Sequence, residues 1–126
     1  MFSVTVRDQM LVAHSLKGQV FGKARNLHGA TYVVEAEFKR SELDENNTVI
    51  DMALASKILR EVISPLDYQN LDDLDQFRSQ TTTAEFLASY IHDEMVGRTR
   101  LHFDGRLKIT LRESSQTWAS FEGEVK

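Results

Sequence analysis

From Phe2 to Val6 apolar and polar residues alternate, and this period of two predicts a half-buried strand that runs on through Met10, Leu11 and Val12 to His14. Gly18 and Gly22 interrupt the pattern, and Ser15 to Leu27, which carries Lys17, Lys23 and Arg25 without a sustained apolar period, reads as a basic loop. Alternation returns from Thr31 to Arg40, with Tyr32, Val34, Ala36 and Phe38 on one face and Val33, Glu35, Glu37 and Lys39 on the other. Ser41 to Asn47 is polar and reads as a turn. Beyond it Met52, Ala55, Leu59 and Val62 recur at helical spacing behind Asp51, a residue type suited to accept the first free amides of a helix, and Pro65 marks the helix end. Residues 64 to 82 hold Asp67, Asp72, Asp73 and Asp75 among few bulky apolar groups, which predicts an acidic loop. Thr82 and Glu85 stand at capping-box spacing before Phe86, Leu87, Tyr90, Ile91 and Met95, the stripe of a second helix. Leu107, Ile109 and Leu111 alternate with Lys108, Thr110 and Arg112, and Trp118, Ser120 and Glu122 follow a polar break, so the last segment predicts a hairpin. Strand, strand, helix, helix, strand, strand defines an α+β fold with the helices on one face of an antiparallel sheet.

At 126 residues the chain is expected to form a single domain, 1–126, large enough for a real core. Cys is absent, which removes disulfides, thiolate metal ligands and a cysteine nucleophile, and fits a reducing compartment. Fifteen Lys and Arg against nineteen Asp and Glu give a net charge of -4 with no basic run, so neither nucleic acid nor an anionic membrane is an expected partner. No stretch approaches the roughly 20 apolar residues that span a bilayer, and no basic segment leads into an apolar one near Met1, so a cytoplasmic location is expected.

The chemistry-bearing residues fall into a pattern. Ala13-His14, Leu27-His28-Gly29, Val49-Ile50-Asp51, Pro65-Leu66-Asp67, Thr83-Ala84-Glu85 and Glu113 occur in the order and spacing in which the chain resembles the 6-pyruvoyl-tetrahydropterin synthase and 6-carboxy-tetrahydropterin synthase family. The resemblance implies the tunnelling fold: a four-stranded antiparallel sheet and two helices per subunit, closed edge to edge into a ring, here a trimer or a hexamer of stacked trimers. It also implies lyase chemistry on the side chain of 7,8-dihydroneopterin triphosphate. In the family three histidines hold a catalytic zinc, and His14 and His28 match the first two. The third falls at Ala30, the catalytic cysteine at Ala24, and the histidine of an Asp-His proton relay at Tyr68, beside the retained Asp67. Two imidazoles are one short of the three protein ligands a catalytic zinc takes, so weak or absent zinc is expected.

Glu113 matches the acid that anchors the pterin, and a carboxylate there suits the paired N–H donors of a pterin edge, with Thr82, Thr83 and Glu85 shaping the pocket rim. Thr82 and Glu85 also have a complete structural account as a helix cap. With the thiol and one imidazole gone, Asp67, Tyr68 and Lys23 are the candidate catalytic groups, and Lys17, Lys23 and Arg25 could meet a triphosphate. His92, in the second helix, and His102, before the hairpin, are expected to be solvated. Two functions stay open at this level: a pterin-pathway enzyme with altered lyase chemistry, or an inactive pterin- or purine-binding assembly protein.

Overall fold

The computed structural model describes residues 1–126. In chain order it forms β1 (Phe2–His14), β2 (His28–Arg40), α1 (Met52–Ile63), β3 (Gln69–Asn70), α2 (Ala84–Thr99), β4 (Gly105–Arg112) and β5 (Trp118–Val125). The sheet runs β3-β1-β2-β4-β5. The four long strands are antiparallel as expected, while β3 is a two-residue parallel addition that covers only Val12 and Ala13 of β1. β1 and β2 pair over their full length, with Phe2 opposite Arg40 and His14 opposite His28, so β2 begins three residues before the alternation at Thr31 suggests.

The period of two does what it predicts. Val6, Met10 and Val12 of β1, Tyr32, Val34, Ala36 and Phe38 of β2, and Leu107, Ile109 and Leu111 of β4 are buried on one face. Leu11 points the other way and is 42% exposed, so the Met-Leu-Val run does not break the alternation. Against this face pack Ala55, Ile58, Leu59 and Val62 of α1 and Leu87, Ala88, Ile91 and Met95 of α2, which makes one continuous core. Asp51 caps α1 as its position suggests, its Oδ1 accepting from Ala53 N at 2.9 Å and Leu54 N at 3.4 Å.

Three expectations are corrected. The acidic segment 64–82 is a packed element: Leu66, Leu71 and Phe77 are essentially fully buried, the last two within single 3-10 turns, and Phe77 meets Phe86 and Tyr90 edge-on at 5.8 and 4.8 Å. Its three fully buried residues are spaced by five and six, which matches neither a helix nor a strand, and Leu74 between the last two is only partly buried. The capping box is also displaced by one residue. The Thr83 hydroxyl accepts from Phe86 N at 3.1 Å and starts α2, which leaves Thr82 buried against His14 and Glu85 exposed in the first turn. Finally, His92 is not solvated: it is 4% exposed and lies edge-on to Phe121 at 4.8 Å, both ring nitrogens lack a hydrogen-bond partner, and the Asp93 carboxylate is 4.0 Å from Nδ1. His102 is exposed, in line with expectation.

The face of the sheet away from the helices is polar. There Glu35 accepts from Arg7 Nε at 3.0 Å and Arg112 Nε at 2.9 Å, and the Arg112 guanidinium lies 4.4 Å from the centre of the Trp118 ring, so one chain of contacts crosses β1, β2, β4 and β5. No helix is long and apolar enough to cross a membrane.

Candidate functional site

The core-facing rows of three neighbouring strands change character at the same end of the sheet. On β1 the row Met10, Val12 ends in His14, and on β2 its cross-strand partner His28 opens the row that continues through Ala30 and Tyr32. On β4 the row Leu107, Ile109, Leu111 continues past the strand end to Glu113. Since Val33 pairs with Arg112, Glu113 stands next in register, beside Tyr32. Two imidazoles and a carboxylate thus replace the apolar floor where the start of α2 roofs the sheet.

His14 is 1% exposed. Its Nδ1 lies 3.0 Å from the Thr82 carbonyl oxygen and 3.1 Å from the Thr82 hydroxyl. A carbonyl can only accept, so Nδ1 carries the hydrogen and Nε2 presents a lone pair. That Nε2 is buried and has no partner. Burial, and next the neighbouring His28, hold the His14 ring below the ordinary histidine range against the opposing pull of Thr82, Asp72 and Glu113. His28 is half-buried, donates from Nδ1 to Asn26 O at 2.8 Å, and its ring centroid lies 4.6 Å from that of His14.

Two residues join this end of the sheet that the pattern did not single out. Asp72 accepts from Ser15 N at 3.3 Å and Ser15 Oγ at 2.6 Å, tying the end of β1 to the 3-10 turns. Tyr32 is 1% exposed and stands edge-on to His14 at 6.3 Å; burial, then Glu113 and Glu85, push its hydroxyl far above the ordinary tyrosine range, so it stays protonated. Tyr32 was legible as a core residue of the alternating strand, and only the register that puts it beside Glu113 gives it a second meaning.

Asp67, Tyr68 and Lys23 do not join the histidines within one subunit. Asp67 Oδ1 accepts from Leu11 N at 2.9 Å and its Oδ2 from Arg60 at 2.9 Å, and these bonds hold its carboxyl below the ordinary range. Tyr68 donates its backbone N–H to Leu11 O at 2.6 Å, has a left-handed φ of 61° and is 79% exposed. Such a φ is rare for a bulky side chain and persists only where the surroundings fix it, here by the clip to the outer edge of β1. Lys23 is exposed in the 3-10 segment Gln19–Arg25 and pairs with nothing. Lys17 donates to Arg78 O at 2.7 Å and Arg25 to Gly22 O at 3.3 Å. Thr83 serves as the helix cap, and Glu85 and Glu113 are exposed with free carboxylates.

The donor set bears on zinc. The unpartnered, buried Nε2 of His14 and the neighbouring His28 are what two metal ligands look like, but no group of three His, Cys, Asp or Glu side chains converges anywhere in the chain. The position from which β2 could supply a third imidazole, two residues beyond His28 on the same face, carries the methyl group of Ala30. These residues do not fit a catalytic zinc, which takes three protein ligands. The largest cleft, about 620 Å³ between Phe2, Val4, Leu43, Ile50 and Met52, lies at the opposite end of the sheet, and its one ionisable side chain, Asp51, is spent on capping α1. A shallower depression of about 330 Å³ lies beside β1 between Ala13, Gly29, Tyr68 and Asn70.

Sheet order and helix placement define an α+β chain of the tunnelling-fold class. The sequence profile of the 6-pyruvoyl tetrahydropterin synthase family matches residues 3–124, and the chain belongs to that family. It is similar to the 6-pyruvoyl tetrahydrobiopterin synthase of Dictyostelium discoideum, at 26% identity over 108 residues that cover 84% of this chain and 78% of that protein. Among solved structures it is similar to Caenorhabditis elegans 6-pyruvoyl tetrahydropterin synthase, with a TM-score of 0.83 and 23% identity over 97% of this chain and 95% of that one. It is also similar to Plasmodium vivax 6-pyruvoyltetrahydropterin synthase, solved as a variant in which a glutamate described as catalytic is replaced by cysteine, with a TM-score of 0.78 and 16% identity over 98% of each chain.

Proposed function

We propose that this chain binds a reduced pterin at the histidine end of the sheet and runs altered lyase chemistry on its side chain. The observation that supports it most is the joint termination of three core-facing rows in His14, His28 and Glu113. Glu113 is the one carboxylate continuing a β-strand row into that end, and it is free. A carboxylate with two acceptor oxygens matches the 2-amino and ring N–H pair of a pterin. Family membership and the names of the relatives agree with this reading.

The residues make an ordinary reaction at an ordinary rate unexpected. A general base contributes about 10² to 10⁴ in rate, and Ala24 has no proton to accept or give. The Plasmodium vivax relative is a 6-pyruvoyltetrahydropterin synthase in which a glutamate is described as a catalytic residue. Here Asp67, Tyr68 and Lys23 are the candidate bases, and self-association offers a route. β1 and β5 are separated by three antiparallel steps and so run in opposite directions, and the outer edge of β1 from Phe2 to Leu11 and that of β5 lack strand partners. Pairing β5 of one copy to β1 of the next continues the alternation and closes into a trimer or hexamer ring. In such a ring the Tyr68 turn, clipped to Leu11, faces the neighbouring copy's β4–β5 hairpin, which carries Glu113.

Isothermal titration of 7,8-dihydroneopterin tests the binding reading: Glu113 is exposed in the chain, so Glu113→Ala should weaken affinity by about 1.5 to 3 kcal/mol, the scale of hydrogen bonds to a charged group. Unchanged affinity rejects the anchor. Sedimentation at micromolar concentration that shows only monomer rejects the ring. One observation favours a second reading, a pterin- or purine-binding protein without turnover: Asp67, the retained member of the relay pair, spends both oxygens on Leu11 and Arg60. Release of inorganic triphosphate from 7,8-dihydroneopterin triphosphate separates the two.

A further inference from the structure

We propose that His14 and His28 act on the ligand directly, as hydrogen-bond acceptors for hydroxyl groups on the side chain of the bound pterin, in the place where a zinc ion would otherwise hold those oxygens. The inference rests on the pterin reading above and specifies how this chain recognises the part of the ligand that Glu113 does not touch.

The donor set carries the argument. Zinc needs a third ligand that Ala30 cannot supply, yet the two imidazoles are still presented as acceptors. The bond of His14 Nδ1 to the Thr82 carbonyl at 3.0 Å fixes the tautomer that leaves a lone pair on Nε2. His28 repeats the device with Asn26 O at 2.8 Å. Each ring is therefore fixed by the backbone carbonyl of another residue, Thr82 or Asn26, which leaves a lone pair on its second nitrogen, and the two centroids are 4.6 Å apart. A buried acceptor left empty is costly, and His14 Nε2 is both buried and empty in the free chain. An O–H donor from a ligand removes that cost, whereas a methyl or methylene group in the same place leaves it standing. A site built this way discriminates a polyol side chain from its deoxy analogue, since rejection is strong when an analogue strands a buried polar group. The second orphaned imidazole, His92, lacks these features: neither of its nitrogens is fixed by a carbonyl, and Phe121 and Gly123 close over it.

The test is isothermal titration of the full chain with 7,8-dihydroneopterin, which carries a hydroxylated side chain, and with 6-methyl-7,8-dihydropterin, which carries none. Each is run in EDTA and in the presence of added zinc. The expected result is about tenfold or greater preference for 7,8-dihydroneopterin, the same in both media. His14→Phe, which keeps a ring of similar size, should abolish the preference while leaving the affinity for the methyl analogue in place. Should that variant fail to fold, His28→Phe at the half-buried position serves instead, and the two-ligand comparison in the unaltered chain stands without either. Equal affinities, a preference that vanishes in EDTA, or a preference retained in both histidine variants overturns the inference and leaves the Glu113 anchor intact. Failure of both pterins to bind overturns the pterin reading itself, and this inference with it.

Discussion

Removing the Glu35 carboxylate should destabilise the fold by an amount that depends on pH in a defined direction. Glu35 lies on the helix-free face of the sheet with its side chain 12% exposed, and holds Arg7 from β1 and Arg112 from β4. In Glu35→Ala both guanidinium groups lose their anion. The Arg7 side chain is 65% exposed, so it returns to water at little cost and its pairing contributes about 0.5 kcal/mol, the scale of a surface ion pair. Arg112, 34% exposed and stacked on Trp118, is less free to rehydrate, and its bond contributes about 1.5 kcal/mol, toward the low end for charge-assisted bonds. The sum is about 2 kcal/mol near neutral pH, a fall in Tm of about 6 to 10 °C for a domain of this size. Desolvation raises the Glu35 carboxyl, but the bonds from Arg7 and Arg112 outweigh it and hold the group below its ordinary value of 4.5. A depressed carboxylate adds stability that is fully present above the unfolded value and lost as pH falls through the folded one. The gap between parent and variant should therefore be constant from pH 7 down to about 5, where the unfolded carboxyl begins to take up protons, and close below that. Other depressed carboxylates, such as Asp67 and Glu122, act in both proteins and cancel in the difference. Urea denaturation at a series of pH values measures it. A gap below about 0.5 kcal/mol at pH 7, or one that persists undiminished at pH 3, refutes the reasoning.

Three further outcomes follow from particular contacts. A Cβ on Gly105 would stand 2.3 Å from the Lys39 carbonyl oxygen and 2.8 Å from Phe103 Cζ, so Gly105→Ala should cost about 2 kcal/mol or more in chemical denaturation, and a neutral result would show that β4 can move away from β2. His92→Leu removes two buried nitrogens that have no partner and should leave stability unchanged or raise Tm by a few degrees; a loss of more than about 1 kcal/mol would mean that the ring has a partner after all. Ala30→His places a third imidazole two residues beyond His28 on the same face, and should convert a chain that loses zinc on dialysis into one that keeps about one zinc per subunit, read by metal analysis.

The scaffold was legible where a single period governs a segment. Tyr32, Val34, Ala36 and Phe38 declare a strand and its buried face together, and Asp51 declares the start of a helix by itself, because each rests on local geometry. The segment from Leu66 to Phe77 was not legible, since it is held by three buried side chains at irregular spacing and by bonds such as Ser15 to Asp72, whose partners are 57 residues apart. Position alone also favoured the wrong threonine as the cap: the capping-box spacing selects Thr82 because Glu85 stands three residues on, but His14, a residue 68 positions away, takes Thr82. Of the candidate site, His14, His28 and Glu113 stand together because strand register is a local property carried outward. Asp67 and Tyr68 stand apart because their places depend on a turn clipped to a strand edge.

That separation constrains how the site can have changed. His14 is buried and its ring is fixed to Thr82 at the start of α2, while Glu113 extends the β4 row just past the strand end and is exposed. Ala24 lies in a segment with no buried residue, and Ala30 is the second position of the core-facing β2 row after His28, where a smaller side chain leaves the strand pairing with Val12 intact. Groups at such places can be replaced at little cost to stability, whereas His14, which we propose reads the ligand, is embedded in the fold. A chain that loses the first and keeps the second retains recognition before rate. The order in which affinity and turnover respond to substitution is the quantity that distinguishes this site from a merely decayed one: Glu113→Ala and His14→Phe should each lower affinity, whereas changes at Ala24 should alter turnover alone.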